Sequence, residues 1–158
     1  MAATETDLPA LGAHARGEAG HELQETLVDL IALMLIGKQL HWNIEGPGFR
    51  EFHLHLDELV EEWRDLADTV AERAVALGVS PDGRAPTVVE QSHVDPVEPG
   101  SMQVPTAIRE LAARVATADE EARASMDRLG QIDLTSQDVL IEVTRTLEKQ
   151  LWMIRAQL

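Results

Sequence analysis

The stretch FHLHLDELVEEWRDLADTVAER, residues 52–73, carries imidazoles and carboxylates at helical spacing. On an α-helix with about 100° per residue, side chains four positions apart lie on one face, one turn from each other. Two such pairs occur here, His53 with Asp57 and Asp68 with Glu72. The two members of each pair can therefore contact the same ion.

The two pairs are too far apart to share one ion within a single chain. Asp57 and Asp68 are eleven positions apart, which is about 16 Å of helix, whereas metal–ligand bonds are about 2 Å long. The pairs are nevertheless symmetric about the point just before Trp63. Two copies of the helix that cross antiparallel there would bring the His–Asp pair of one chain against the Asp–Glu pair of the other, twice. A twofold interface requires this self-complementarity.

A further imidazole lies on the preceding helix, beyond a Gly-Pro turn. The complete donor set is His41, His53, Asp57, Asp68 and Glu72. Two imidazoles with three carboxylates suit Fe(II) or another first-row divalent ion with open coordination positions, and are too rich in carboxylates for a structural zinc site. Two alternatives stay open on spacing alone. The charged groups could be ordinary helix surface with salt bridges, and His41 could be a hydrogen-bonded core residue.

The elements that position these residues are helices. An apolar stripe predicts a first helix from about His21 to the EGPG turn at 45–48. Its members are Leu23, Leu27, Leu30, Met34 and Gly37. Residues 1–18 are small and polar, so we expect a flexible N-terminal arm followed by one domain at 19–158.

The second predicted helix runs from Phe49 to Leu77 and is closed by Gly78. Residues 78–104 contain four prolines and cannot form one regular element. A connection of this length fits a crossover that returns along a helical bundle.

A third helix is predicted from Pro105 to Gly130, because proline suits a first helical turn. A fourth opens with TSQD at 135–138, where Thr135 is the expected N-cap. No strand pattern is evident. The prediction is an all-α four-helix bundle with a long crossover between helices two and three.

Composition and charge argue against some classes of function. The chain has 158 residues, 44% of them apolar, enough for one domain with a core. A net charge of −15, with only two lysines, argues against phosphate-backbone binding. No apolar run reaches membrane-spanning length. The absence of cysteine and of a signal-peptide pattern predicts a cytoplasmic protein.

The segment KQLHWNIEGPGFREFHLHLDELVEEWRDLADTVAERA, residues 38–74, closely resembles the Dps family of ferritin-like proteins. Shared features are the lysine before His-Trp, the Gly-x-x-Phe turn, a second histidine twelve residues after the first, and the D-x-x-x-E-R ending. The likeness extends over about residues 20–158. It implies a ferritin-like four-helix bundle assembled as a hollow shell of twelve subunits.

The resemblance also implies an activity. Family members oxidise Fe(II), preferably with hydrogen peroxide, and store the ferric product inside the shell. Their ferroxidase sites are shared across twofold interfaces. The likeness thus places His41, His53 and Asp57 on one subunit and Asp68 and Glu72 on its neighbour. Lys38 and Trp42 would lie beside this site, where Trp42 could donate an electron or simply pack at a helix end.

Other expectations from the resemblance concern pores and tryptophans. Acids near the start of the fourth helix line threefold pores in the family, which suggests Asp138 and Glu142, with Asp133 a further possibility. A charged helix N-terminus is the alternative explanation. We expect Trp63 to pack at an interface and Trp152 in the bundle core.

Some features of the sequence differ from the family pattern and leave other functions open. Glu-x-x-His strings, which mark other di-iron bundles, occur at 18–21 and 90–93 but are interpreted as chance. Many family members bind DNA through lysine-rich tails, yet residues 1–18 carry only Arg16 as a cation. DNA binding is therefore not expected at neutral pH. A DNA-compacting structural protein and, more distantly, a metal-dependent hydrolase are the alternatives to a ferroxidase.

Overall fold

The computed structural model describes residue 9 and residues 11–158. Within these residues, five helices and two short strands follow one another. Their bounds are α1 Ala13–Asn43, β1 Ile44–Glu45, α2 Phe49–Ala76, α3 Ala85–Gln91, β2 Met102–Gln103, α4 Val104–Leu129 and α5 Leu134–Arg155. None of the helices in this part of the chain has the length and apolarity needed to cross a membrane.

The four long helices form the predicted bundle. Helix α1 packs chiefly on α2 and α4 chiefly on α5, and contacts of α1 with α4 and of α2 with α5 join the two pairs. Leucine, isoleucine, valine and alanine side chains from all four helices fill one continuous core. The all-α four-helix architecture with a long α2–α4 crossover is confirmed.

Close helix approach is specified by a small residue in α1. A Cβ built on Gly37 would lie 2.5 Å from a methyl of Val60 and 2.9 Å from the ring of Trp63. Any side chain there would separate α1 from α2, because packed cores tolerate little extra volume. Gly37 therefore allows the two site-bearing helices to pack tightly.

The helix termini agree with the sequence in α2 and disagree in α1 and α5. Gly78 has φ +78° and ends α2, as predicted. Helix α1 begins at Ala13, eight residues before His21, so residues 13–18 are helical rather than part of an irregular arm. Residues 1–8 and 10 of the predicted arm lie outside the described residues.

The N-cap of α5 is Asp133, and the prediction of Thr135 is wrong. The Asp133 carboxylate accepts a hydrogen bond from the backbone N–H of Ser136 at 3.0 Å and an ion pair from Arg73 at 2.7 Å. Burial opposes its ionisation, but the hydrogen bonds from Ser136 and Arg73 outweigh burial and lower the pKa of Asp133. The cap therefore also ties α5 to α2.

The crossover is more regular than the sequence indicated. It contains α3, with proline in the first turn, and β2, which pairs in parallel with β1 through Ile44↔Met102 and Glu45↔Gln103. The expectation of no strand is wrong to this extent. The strand pair fixes the end of the crossover beside the turn that follows α1.

Trp63 and Trp152 each lie in an environment other than the expected one. Trp63 is fully buried in the chain's own core and donates its indole N–H to Gln150 at 2.8 Å. Trp152, expected in the core, is 68% exposed. Neither expectation is borne out.

Candidate metal centre

The site lies where the C-terminal turn of α1 meets the second turn of α2. The connection turns sharply at Gly46 and Gly48, whose φ values of +99° and +80° favour glycine. The turn brings His41 of α1 against His53 of α2. Their rings stack with centroids 3.7 Å apart at an interplanar angle of 24°.

Two reciprocal hydrogen bonds orient the imidazoles. His41 Nδ1 lies 3.1 Å from the carbonyl oxygen of His53, and His53 Nδ1 lies 3.0 Å from the carbonyl oxygen of His41. Because a carbonyl oxygen only accepts, each Nδ1 carries the hydrogen and donates it. Each neutral ring then keeps its lone pair on Nε2, the nitrogen left available for a metal.

A carboxylate completes the group. Ligand atoms of His41, His53 and Asp57 all lie within 4.8 Å of one another, the one such cluster of three or more potential metal ligands found in residues 9 and 11–158. His41 is buried, His53 is half-buried and Asp57 is exposed. The cluster therefore opens at the protein surface.

Lys38 sets the charge of the carboxylate. Its Nζ lies 2.8 Å from Asp57 Oδ1. The hydrogen bond from Lys38, with smaller contributions from His41 and His53, holds the pKa of Asp57 below its usual value. Asp57 therefore remains an anionic ligand into the acidic range.

Aromatic groups border the site. Trp42 is 69% exposed, and the Lys38 ammonium lies 5.7 Å from its ring centroid. The Phe49 ring lies 5.0 Å from that of His53. Lys38 therefore contacts the cluster through Asp57, and Trp42 lies beside Lys38.

The structure does not bring Asp68 and Glu72 into this cluster. Both are exposed on α2, three to four turns beyond Asp57. Asp68 lies on a groove of about 580 Å³ between α1, α2 and the start of the crossover. Much of the groove is apolar, with lining residues Leu27, Ile31, Met34, Ala67, Ala71 and Pro81. An acid on the rim of an open apolar groove is available to a second molecule.

The acids at the start of α5 divide into two kinds. Asp138 and Glu142 are exposed and one turn apart, and Glu142 borders a second groove with Glu62 and Lys149. Asp133 is committed to the cap and to Arg73, with a side chain only 15% exposed. Asp133 is thus poorly placed to line a pore.

The Glu-x-x-His strings lie away from the cluster. In the first, Glu18 and His21 pair along α1 with His14 and Glu25. In the second, His93 pairs with Asp29, a contact that sequence reasoning missed because it joins positions 64 residues apart.

Comparison with known proteins identifies the family. A family model described as a ferritin-like domain matches residues 21–158. The DNA protection during starvation protein of Mycolicibacterium smegmatis is 35% identical over 157 residues, covering 98% of this chain and 85% of that protein. The chain belongs to the Dps family of ferritin-like proteins.

Two further relatives match most of this chain, and they carry different descriptions. The DNA protection during starvation protein 2 of Deinococcus radiodurans is 33% identical over 96% of this chain, which spans only 63% of that longer protein. The fine tangled pili major subunit of Haemophilus ducreyi is 37% identical over 86% of this chain and 72% of its own length.

Among Dps structures, the tetragonal form from Mycobacterium smegmatis has a TM-score of 0.92 at 33% identity, covering 99% of this chain and 94% of that one. The structure of Dps from Microbacterium arborescens in the high iron form has a TM-score of 0.89 at 36% identity, covering 95% and 97%. The ferritin-like fold predicted from the sequence is confirmed.

Proposed function

We propose that this protein is a ferroxidase and iron store that oxidises Fe(II) with hydrogen peroxide and keeps the ferric product inside a shell of twelve subunits. The observation that carries the proposal is the convergence of His41, His53 and Asp57 in a chain of the Dps family. Iron is here the substrate and cargo.

The donor chemistry supports Fe(II) as the ion. Two Nε2 atoms and one carboxylate provide borderline and hard donors, and leave coordination positions open for an oxidant. The backbone hydrogen bonds at each Nδ1 fix the rings before metal arrives, which raises affinity by limiting the freedom lost on binding. The exposed edge of the cluster admits both the ion and peroxide.

The cluster in one chain contains only one of the three carboxylates of the predicted donor set. We assign the other two to Asp68 and Glu72 of a second copy. One chain cannot supply them, because Asp68 lies about 16 Å further along α2 than Asp57. The apolar groove bordered by Asp68 supports packing of a second copy at this face. A twofold axis then generates two equivalent sites per dimer.

The chemistry consumes both reactants of the Fenton reaction. Hydrogen peroxide needs two electrons and two protons for cleavage of its O–O bond to water, and two Fe(II) ions supply one electron each. The Fe(III) produced hydrolyses and is stored as mineral. Trp42, close to Lys38, is assigned as an electron donor that intercepts a stray one-electron oxidant.

Cation entry is assigned to the start of α5. The exposed acids Asp138 and Glu142 are one turn apart, and a constriction lined by carboxylates concentrates Fe(II). Around a threefold axis, this pair would occur three times.

Replacement of His41 and His53 by alanine tests the proposal. We expect the double variant to keep its helical circular dichroism and its assembled size and to lose rapid peroxide-driven Fe(II) oxidation. A matched control replaces His21 and His55, which lie outside the cluster, and should oxidise Fe(II) at the wild-type rate. Wild-type rates in the His41/His53 variant would contradict the assignment.

A further inference from the structure

A buried carboxylate on α1 fastens the crossover to the bundle. Asp29 is 2% exposed. It accepts hydrogen bonds from Ser92 Oγ at 2.8 Å, from the backbone N–H of His93 at 2.8 Å and from His93 Nδ1 at 3.0 Å. All three donors come from the segment directly after α3. A buried carboxylate is stable only with such partners, so Asp29 and this segment depend on each other.

The surrounding contacts make residues 88–96 one clamped unit. Val88 and Val94, on either side of the polar contact, are 3% and 6% exposed. On the other flank, Arg114 of α4 donates to the carbonyl oxygens of Asp95 and Pro96 at 2.9 Å and 2.7 Å. The segment is thus held on α1 by the contact of its titratable His93 with Asp29, and on α4 by the permanently charged Arg114.

The charges that face His93 are mainly acidic. Asp29 and Glu25 approach it from α1, and Glu121 approaches from α4. One of these glutamates, Glu25, also pairs with Arg128 of α4 at 3.5 Å, and Arg128 lies closer to Glu22, at 2.7 Å. Partial burial alone would lower the pKa of His93, but the hydrogen bond and charge of Asp29, with the two glutamates, raise it.

We propose that His93 is a pH-responsive latch, which holds the crossover on α1 most firmly when its imidazole is protonated and loosens residues 88–96 when the proton leaves. The side chain is 36% exposed, so it exchanges protons with solvent without unfolding. The neutral ring still donates one hydrogen bond from Nδ1, but the ion pair with Asp29 is lost. The apolar burial of Val88 and Val94 and the hydrogen bonds from Arg114 do not depend on the charge of His93, so they limit the change to local opening of this segment.

The direction of the pH dependence follows from linkage. A group with a raised folded pKa contributes its full stabilisation below the unfolded value, 6.5 for histidine, and loses it as pH rises through the folded value. Over that window, the equilibrium for opening of residues 88–96 increases by up to about tenfold per pH unit. Above the window it is constant again.

Hydrogen–deuterium exchange of the assembled protein, followed by mass spectrometry between about pH 6 and pH 9, tests the latch. After correction for base-catalysed intrinsic exchange, we expect protection of residues 88–96 to fall with pH in the wild type. A His93→Gln variant should have weaker protection that does not vary with pH. His14→Gln, which replaces an exposed histidine paired with Glu18, is the matched control and should behave as wild type.

The proposal is overturned if wild-type protection of the segment is independent of pH, or if His93→Gln retains the dependence. A second measurement covers the case in which the glutamine variant alters the segment for other reasons. The imidazole pKa of His93, measured by NMR with ¹³C-labelled histidine, should lie above 6.5 in the wild type and fall in Asp29→Asn. An unchanged pKa in that variant would also overturn the latch.

Discussion

Sharing of the site between two chains is open to a complementation experiment. One variant, His53→Ala with Asp57→Ala, lacks the α2 ligands that adjoin His41. The other, Asp68→Ala with Glu72→Ala, lacks the pair about 16 Å further along the same helix. Each alone should be inactive, because every site in a homodimer then lacks either one pair or the other.

Random pairing fixes the expected recovery. In an equal mixture half of the dimers contain one chain of each kind, and each mixed dimer has one complete site and one site without either pair. We therefore expect about one quarter of wild-type activity. Co-expression with two different affinity tags, followed by sequential purification, isolates shells that contain both chains for the Fe(II) oxidation assay.

A control in which all four substitutions lie on one chain distinguishes the alternatives. Mixed equally with wild type, this chain leaves about one quarter of the sites intact if sites are shared, and about one half if each site belongs to one chain. A one-chain site also predicts no recovery in the first mixture. Zero recovery in verified mixed shells, together with one-half activity in the control, would refute the shared site.

Three further predictions concern stability, iron entry and DNA. Asp133→Ala should lower the free energy of unfolding by about 2 kcal/mol, because it removes the α5 cap and a partly buried ion pair. The control Thr135→Ala should lower it by less than about 0.5 kcal/mol. Equal shifts of the two variants in thermal unfolding would contradict this prediction. The Asp133 contribution should be complete above pH 3.8, its unfolded pKa, and disappear as pH falls through the lower folded value. The double variant Asp138→Asn, Glu142→Gln should slow Fe(II) oxidation about tenfold at limiting Fe(II) and leave the rate at saturating Fe(II) unchanged. The control Glu58→Gln should have no effect. A lower rate at saturating Fe(II) would show that Asp138 and Glu142 act in the oxidation step rather than in iron entry. In a mobility-shift assay in about 0.15 M salt without divalent cations, the shell should not retard plasmid DNA, because twelve chains of charge −15 sum to about −180; a complex at sub-micromolar protein would make DNA compaction the first function.

The parts of the fold predicted correctly are those determined by local periodicity. The apolar residues that recur at helical spacing along α2 include Phe52, Leu56, Leu59 and Val70, and all four are buried. The glycine at the end of α2 and the proline at the start of α4 acted as local chemistry predicts. His53 and Asp57 likewise lie together because they are one turn apart on α2.

The errors arose where a distant partner decides the local structure. Asp133 was preferred to Thr135 as the cap because Arg73, 60 residues earlier, stabilises its charge. The start of α1 differs from the prediction because its first turns carry no apolar stripe. Ala19 and Gly20 are nonetheless buried, and a Cβ on Gly20 would meet Val79.

The tryptophan errors have separate causes. Trp63 was assigned to an interface from the numbering symmetry of α2, but Gln150 of α5 supplies the hydrogen-bond acceptor that allows its burial in the chain's own core. Trp152 follows Leu151, which packs against the core from α5, and so points outward. For Asp68 and Glu72 the reason is different: the ligands proposed to join them belong to a second copy of the chain, so the structure of one chain cannot show the complete set.

Anaerobic titration of the metal-free shell with Fe(II), followed by hydrogen peroxide, tests the central claim most directly. We expect Fe(II) binding that is lost in the His41→Ala, His53→Ala variant, and then oxidation of about two Fe(II) ions per peroxide without hydroxyl radical detectable by spin trapping. Binding that survives in the variant, or one Fe(II) oxidised per peroxide with release of hydroxyl radical, would contradict a ferroxidase centre built on these histidines.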